Sequence, residues 1–363
     1  MFKSLVRDKV LITLIALTVF VKLLSLNEAW VEQYYTYGFY PYISRLLRLL
    51  FGWIPFSIGD LFYLAAGIYL IWKAVKYLRL LASRVEKKYL GWVLLKKILR
   101  LAVVVYLVFN IFWGLNYNRL GISSQLKLDV DEYSIGSLDT LTSILQDRLN
   151  FWENRVDSSK RISMNKNRVL FEEGVAAYDN AKKHMPFLTY QYSSIKPSMF
   201  STIGHYFGFT GYYNPFSGEA QIKTNAPFFI KPFVVTHEIG HQLGYAKENE
   251  ANFVAFLACR NSPNAEFRYS LYFEMYQYVI RDLARKDSVK ANLYRDQLHP
   301  QVRKDINEFI AYLITSKNAV EPWVTDFYDG YLKMNNQPKG KMTYNEVVAW
   351  LVAYARKYGL SAI

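Results

Sequence analysis

Two histidines and a glutamate in one short run have the types and spacing that suit metal chemistry. The run reads HEIGH and contains His237, Glu238 and His241. On a helix, residues four apart share a face, so the two imidazoles can converge on one ion. Glu238 lies off that face but close enough to act as general base toward the water of hydrolysis. This HExxH pattern predicts a zinc site with a catalytic carboxylate beside it.

The surroundings of the motif favour a buried helix. The chain has only 5 His in 363 residues, so a chance HExxH is expected in roughly a few of every thousand such chains. Pro232 stands where a helix can begin, and Gly244 stands where one can end. The alternative is a core helix with two hydrogen-bonded histidines, and we prefer the metal site because the motif is rare and its setting fits.

A third protein ligand is needed to leave one zinc position open. The metzincin pattern places a His six residues after His241, but Lys247 occupies that position. Two carboxylates follow, Glu248 and Glu250. If a helix starts near Lys247, Glu250 heads its apolar face, where a buried carboxylate needs a cation. We therefore expect Glu250 to be the third ligand and Glu248 to be a solvated first-turn carboxylate.

Hydrolysis also needs a hydrogen-bond donor for the oxyanion. The sequence offers Tyr213 and His299 as candidates for this catalytic role, with His205 and Tyr331 as further possibilities. The chain contains 30 Tyr, so most of them are structural. His299 precedes Pro300 at a predicted helix boundary, where a capping role explains it equally well. The sequence alone leaves the donor open.

The metal-site run resembles known zinc peptidases. Two His on one helix and a Glu on the next form the layout of gluzincins. The run ENEANFVAFLA, residues 248–258, resembles the E-x-E-A-N segment of bacterial zinc peptidases that cleave repressors, which implies that the second Glu, Glu250, is the ligand. The spacing from His241 to Glu250 is shorter than in thermolysin-type enzymes, so their substrate pockets are not carried over.

Nearly the whole chain, including GYYNPFSGEAQ at residues 211–221, is similar to a family of bacterial membrane proteins that carry HExxH after three N-terminal spans. This resemblance implies a membrane-anchored, gluzincin-like zinc metallopeptidase. It implies no particular substrate.

Composition also indicates a membrane protein. Hydrophobic residues make up 52% of the chain and aromatic residues 17%, more than is typical of soluble proteins. Residues 1–118 hold 15 Lys+Arg and 5 Asp+Glu, so they carry +10 of the net charge of +14. The basicity belongs to the hydrophobic part, so no nucleic-acid surface is expected. The single Cys, Cys259, excludes an intrachain disulfide and is predicted to be buried.

Three hydrophobic segments predict transmembrane helices at about 10–26, 54–75 and 101–116. A cleaved signal peptide is the alternative for the first segment, but no small-residue cleavage site follows it. Nine basic residues and one acidic residue lie between about 73 and 100. By the positive-inside rule this loop and the N-terminus are cytoplasmic, and residues 119–363 are extracytoplasmic. The predicted location is therefore the bacterial plasma membrane.

Residues 119–363 are predicted to form a mainly helical, zincin-like α+β domain with a small antiparallel or mixed sheet. A hairpin is expected with its turn at Asn214–Gly218, and a polar loop is expected at 327–343. Residues 206–213 or 219–223 are alternatives for the edge strand to which an extended peptide would add. The amphipathic segment 42–51 is predicted to lie either at the headgroup level or over the other domain.

Together these features predict a membrane-bound, Zn²⁺-dependent peptidase of membrane-attached or envelope proteins. Its expected partners are a peptide or protein substrate and the lipid bilayer; the oligomeric state is open. One alternative is a zinc-binding membrane sensor or scaffold without turnover. A transporter component is a weaker alternative, because the spans carry only scattered polar residues such as Asp60 and Asn110.

Overall fold

The computed structural model describes residues 8–82, 87–335 and 344–363, which are mostly helical with one small sheet. The N-terminal helices are α1 (Lys9–Ser25), α2 (Glu28–Phe51, with π-helical turns at Val31–Phe39), α3 (Ile58–Ala82) and α4 (Lys87–Phe112). The helices that follow up to the sheet are α5 (Ile122–Gln125), α6 (Ile135–Glu153), α7 (Ser158–Ser163) and α8 (Asn167–Ala181). The sheet region holds β1 (Ile195–Pro197), α9 (Ser201–Tyr206), β2 (Gly211–Asn214) and β3 (Glu219–Ile222). The remaining helices are α10 (Lys231–Gln242), α11 (Glu248–Arg260), α12 (Ala265–Lys286), α13 (Ser288–Asp296), α14 (Pro300–Ser316), α15 (Glu321–Met334) and α16 (Tyr344–Tyr358).

Among the described residues, one unbroken helix, α3, is long and apolar enough to cross a membrane, over Ile58–Leu80. Only 11% of its most apolar stretch is buried, unlike the core helix of a soluble protein. The pair α1 and α2, bent by 95°, adds a second span if it is counted as one broken segment. The described chain therefore has one helix, or up to two, that could span a membrane.

The prediction of three spans is wrong. Its third segment, at 101–116, lies in α4, where Arg100 is followed by only 12 more helical residues, whereas crossing takes about 20. Lys96 and Lys97 lie just before Arg100 in the same helix, so the uncharged stretch cannot be extended toward the start of α4. Residues 1–7 and 83–86, which carry part of the basic charge used to predict the topology, lie outside the described residues.

The two helices α10 and α11 lie at the centre of the large hydrophobic core and pack against each other. Pro232 is in the first turn of α10, and Gly244, with φ of +91°, follows its end, as the sequence predicts. Most side chains of α11 are fully buried, because α8, α12 and α16 pack around it. A helix enclosed in this way holds its polar side chains in fixed positions.

The sheet has three strands in the order β1-β3-β2, with β1 parallel and β2 antiparallel to β3. This confirms the small mixed sheet and the predicted hairpin. The Asn214 side chain accepts hydrogen bonds from the backbone of Phe216 and Ser217, and Gly218 takes φ of +69° to close the turn. Because β3 is the middle strand, residues 219–223 do not form an edge strand. Strand β2, which overlaps the alternative 206–213, is at an edge of the sheet.

The N-terminal region packs closely on the domain that carries the HExxH helix. Arg48 is buried and donates to the carbonyl of Gln242 at the end of α10 at 3.0 Å. The buried carboxylate of Glu219 accepts from the backbone of Ile58 and Gly59, and so caps the start of α3. One face of the amphipathic segment 42–51 therefore lies against the domain, and its opposite face, with Leu46 and Leu49, is exposed.

The predicted polar loop at 327–343 is helical in its first part. Residues up to Met334 belong to α15, and 336–343 lie outside the described residues. The helical periodicity of the sequence also predicts helices at about 137–156, 168–183, 265–287 and 300–316. Helices α6, α8, α12 and α14 lie within a few residues of those bounds.

Candidate metal centre

The two histidines of α10 lie side by side, with ring centroids 4.7 Å apart. Nδ1 of His237 lies 2.8 Å from the side-chain oxygen of Asn252, and Nδ1 of His241 lies 2.7 Å from the carbonyl of Tyr245. Both neighbours are acceptors, so each Nδ1 carries the ring proton and donates it. That tautomer leaves both Nε2 atoms with a lone pair for a metal ion.

The carboxylate of Glu248, in the first turn of α11, completes this group. Its Oε2 lies 3.3 Å from Nε2 of His237, and its Oε1 lies 3.8 Å from Nε2 of His241. One ligand atom from each residue lies within 4.8 Å of the others. Ligand atoms about 2 Å from a tetrahedral ion are roughly 3.3 Å apart. The donor set and its spacing therefore fit a divalent metal ion such as zinc.

Glu250, the expected third ligand, lies on another side of α11. Two residues along a helix correspond to a turn of about 200°, so Glu248 and Glu250 cannot face the same ion. Glu250 is buried as expected, but its neighbours are Lys247, with Nζ 4.0 Å from Oε1, and the charge of Arg119. The structure brings Glu248, and not Glu250, to the two imidazoles.

Glu238 is buried next to the edge strand of the sheet. A Cβ on Gly211 would lie 2.6 Å from its Oε1, so glycine is the residue that lets β2 pass so close. Its Oε2 has no hydrogen-bond partner within the described part of the chain. Burial raises the pKa of Glu238 to about 8, which suits a group that exchanges a proton near neutral pH.

The charges of the three ligand candidates depend on one another. Burial alone would lower the pKa of His237, but the hydrogen bond to Glu248 and the charge of that carboxylate raise it, so a metal ion would have to displace a proton from this pair. Burial lowers the pKa of His241 to about 4, so its ring stays neutral at neutral pH. Burial alone would raise the pKa of Glu248, but the hydrogen bonds from His237 and Tyr328 and the charge of the His237 ring lower it to about 2. The carboxylate is therefore ionised, as a ligand must be.

These residues lie at one wall of a cleft of about 890 Å³. Strand β2 and the turn before it form a second wall, α15 forms a third, and α3 and α4 contribute one residue each. The aromatic side chains that line it are Tyr63, Phe109, Trp113, Tyr117, Phe207, Phe209, Tyr212, Tyr213, Phe216, Phe233, Tyr278, Phe327, Tyr328 and Tyr331. A concave, mostly aromatic site with a few convergent polar groups is typical of a ligand-binding cleft.

The predicted oxyanion donors fall in different places. Tyr213 lines the cleft, but its hydroxyl lies 3.3 Å from that of Tyr40, which itself donates to the carbonyl of Gln242. The Tyr213 proton therefore goes to Tyr40. His299 pairs with Glu153 at 3.1 Å and is not among the residues that line the cleft.

Two further candidates separate in the same way. His205 contacts Thr315 and Lys223 and does not line the cleft. Tyr331 lines it, with its hydroxyl 3.2 Å from that of Tyr117.

Sequence reasoning missed three residues of the site. Tyr328 donates to Oε1 of Glu248 at 2.6 Å, and Glu274 lines the cleft with its pKa raised to about 7 by burial. Asn252, which orients His237, is the third. Two signals were present: Asn252 is four residues after Glu248, and Tyr328 is four residues after Val324, which are helical spacings.

Comparisons with known proteins give a family and no function. No curated protein and no solved structure matches the chain. One family profile, described as "Protein of unknown function (DUF3810)", matches residues 35–352 and so runs from α2 into α16. Because this match covers most of the chain, the protein belongs to the DUF3810 family.

Proposed function

We propose that this chain is a membrane-associated, zinc-dependent peptidase in which His237, His241 and Glu248 hold the ion and Glu238 is the general base. The observation that carries the proposal is the orientation of the imidazoles. Each Nδ1 is held by an acceptor, and both Nε2 atoms converge on an ionised carboxylate. Two core histidines that serve only as hydrogen-bonding groups would not need the Glu248 carboxylate beside both Nε2 atoms.

The chemistry assigned to the protein groups follows from their positions. Zinc held by His237, His241 and Glu248 would act as a Lewis acid toward water and the scissile carbonyl. Glu238 takes the proton of the attacking water on a carboxylate oxygen and delivers it to the leaving amine. Burial holds the pKa of Glu238 close to neutral, so both the uptake and the release of the proton are accessible.

The substrate in this proposal is an extended peptide. Strand β2 is an edge strand among the described residues and lines the cleft along its whole length except Asn214. An extended chain that pairs with β2 would gain main-chain hydrogen bonds and would pass Gly211, which lies against Glu238. The aromatic side chains of the cleft then supply pockets for the side chains of the substrate.

The location is part of the proposal. Tyr63 of α3 lines the cleft, so the proposed chemistry would occur next to the helix that could span the membrane. This favours membrane-attached or envelope proteins as substrates. The nine basic residues and one acidic residue between about 73 and 100 favour a cytoplasmic position for that loop. The proposed location is the bacterial plasma membrane. The cleft lies at the start of α3 and this loop at its end, and α4 leads back to the cleft, where Phe109 lines it.

The alternative, a zinc-binding sensor or scaffold without turnover, is favoured by one observation. The Tyr328 hydroxyl of α15 contacts the carboxylate of Glu248, so α15 reaches into the site. A site held in this form binds metal without processing a substrate.

The test uses the full chain purified in detergent micelles, a fluorogenic peptide library and measurement of bound zinc. Glu238→Gln should keep its zinc and lose hydrolysis by about 10²–10⁴-fold, the usual contribution of a general base. Glu266→Gln, a buried glutamate outside the cleft, is the matched control and should keep both. Full activity in Glu238→Gln would contradict the mechanism, and zinc without hydrolysis in the wild type would favour the sensor.

A further inference from the structure

Helix α15 has an exposed apolar face that the cleft explains only in part, because Phe327 lines the cleft whereas Trp323 and Met334 do not. Trp323, Phe327 and Met334 lie within about 40° of one another around the helix and are 79%, 78% and 78% exposed. Val324, Tyr328 and Tyr331 lie on a neighbouring face and line the cleft. The polar side chains occupy the remaining side of the helix. In a surface helix of a soluble domain, polar residues occupy the outward face that Trp323, Phe327 and Met334 occupy in α15.

A second set of exposed apolar side chains lies across the mouth of the cleft, in and around α9. Two hydrogen bonds connect α9 to the segment before α15: Asn318 to the carbonyl of Tyr206 at 2.7 Å, and His205 with Thr315 at 3.0 Å. Phe207 and Phe327 line the same cleft from the two sides. The two sets form one surface, the apolar rim, which consists of Met199, Ile203, Tyr206, Phe207, Trp323 and Phe327.

The apolar rim is tied to the start of α3. The backbone N–H of Met199 donates to the Asp60 carboxylate at 2.7 Å, and Asp60 is in the first turn of α3. Tyr63, less than one turn further along α3, lines the cleft. The rim is therefore at the level where the apolar helix leaves the domain, which is where a bilayer interface would lie.

We propose that the apolar rim contacts the interface of the bilayer that α3 enters, so that the cleft opens at the level of the lipid headgroups. Tyr206 and Trp323 of the rim favour the headgroup region because one end of each side chain is apolar and the other is hydrated. Phe207 and Phe327 add apolar contact area beside them. Its continuity with α3 favours lipid over a second copy of the chain as the occupant. If the proposed hydrolysis holds, the substrates are peptide segments that lie at the membrane surface; that consequence rests on the proposed function, and the lipid contact does not.

The experiment places an environment-sensitive fluorophore on single cysteines of the full chain. The native Cys259 is fully buried against Thr236, so the label reacts at the introduced thiol. The rim variants are Phe327→Cys and Ile203→Cys, in two different elements, so that one misfolded variant does not decide the result. The control is Glu172→Cys on α8, where the side chain is 63% exposed.

The labelled proteins are reconstituted in vesicles of phosphatidylethanolamine and phosphatidylglycerol, with and without lipid that carries a shallow nitroxide. We expect the nitroxide lipid to quench both rim labels at least twofold more than the Glu172 label, and aqueous iodide to show the opposite order. Equal quenching at all three sites by both reagents would overturn the proposal. Rim labels protected from both quenchers until the protein is diluted in lipid would also overturn it, in favour of a second copy. Neither readout depends on zinc or on hydrolysis.

Discussion

Two polar clusters meet at the first turn of α11. Each contains one glutamate, and the two glutamates have different roles. On the cleft side, Glu248 faces His237 and His241 at metal-ligand spacing. On the back, Glu250 faces Lys247 and the charge of Arg119. Both carboxylates are largely removed from water, so burial alone does not identify a ligand. The neighbouring groups decide which carboxylate serves the metal and which serves the fold.

The back cluster joins three parts of the chain. Arg119 makes a two-pronged ion pair with Glu32 of α2, at 2.9 and 2.8 Å. It also donates to the carbonyl of Gly244 and stacks over the ring of Tyr245, with 1% of its side chain exposed. Burial raises the pKa of Glu250. We therefore expect changes here to alter stability, and changes in the cleft-side cluster to alter zinc binding.

The largest expected effect comes from Arg119→Met. Removing one partner leaves the buried Glu32 without its counter-charge, which costs about 3–5 kcal/mol of unfolding free energy. Denaturant unfolding in detergent measures this loss, and the zinc affinity of the folded fraction should stay unchanged. Arg168→Met is the control, because its pair with Glu172 is exposed and such surface pairs contribute little to stability. Equal losses in both variants would contradict the structural role of the back cluster.

Gly121→Ala should have the next largest effect. Gly121 has φ of +86°, and a Cβ there would lie 1.9 Å from Oε1 of Glu250. The strain and the displaced carboxylate should together cost roughly 2–4 kcal/mol, seen as a lower thermal midpoint. Gly136→Ala, in α6 with no close neighbour to its added methyl, should be neutral or stabilising by up to about 1 kcal/mol. A neutral Gly121→Ala would mean that Glu250 does not pack there.

On the cleft side, Asn252→Ala should weaken zinc binding by about 10–100-fold, because it removes the group that fixes the His237 tautomer and ring orientation. Competition with a chelating dye measures the affinity. Asn261→Ala, near the other end of α11, removes a side chain that bonds only the carbonyl of Leu257 and serves as the control. Weaker binding in both variants would point to a general loosening of α11.

The smallest expected effect is that of Tyr328→Phe, which removes one hydrogen bond to Glu248. One such bond to a charged group is worth about 1.5–3 kcal/mol at most, and a hydrated carboxylate recovers part of it, so we expect a loss of a few-fold in zinc affinity. Tyr331→Phe, on the same helix, should leave the zinc affinity unchanged. A rise in affinity for Tyr328→Phe would show that the hydroxyl competes with the ion.

The parts predicted from the sequence are those determined locally. The α10 helix follows from the HExxH spacing with Pro232 at its start and Gly244 after its end, and the β2–β3 turn follows from Asn214 and Gly218. The choice between Glu248 and Glu250 was not local. It depends on how α11 is rotated against α10, and the apolar pattern of α11 predicted only that Glu250 is buried.

Two other misses have separate causes. The apolar length after Arg100 predicts a third span, but Lys96, Lys97 and Arg100 shorten the uncharged stretch of α4. Asp329, Gly330 and Asn335 give residues 327–343 the composition of a polar loop, although Val324, Tyr328 and Tyr331 have helical spacing. Tertiary contacts with the cleft stabilise that helix, and a single sequence does not display them.

Zinc binding by the wild type, Glu248→Gln and Glu250→Gln tests the central comparison most directly. The three full-length proteins are compared by bound zinc per chain and by affinity in the same detergent. We predict one zinc in the wild type and unchanged binding for Glu250→Gln. For Glu248→Gln we predict a loss of more than about 100-fold in zinc affinity, because removing a ligand costs more than removing a ligand's hydrogen-bond partner. Loss of zinc in Glu250→Gln with retention in Glu248→Gln would contradict the account.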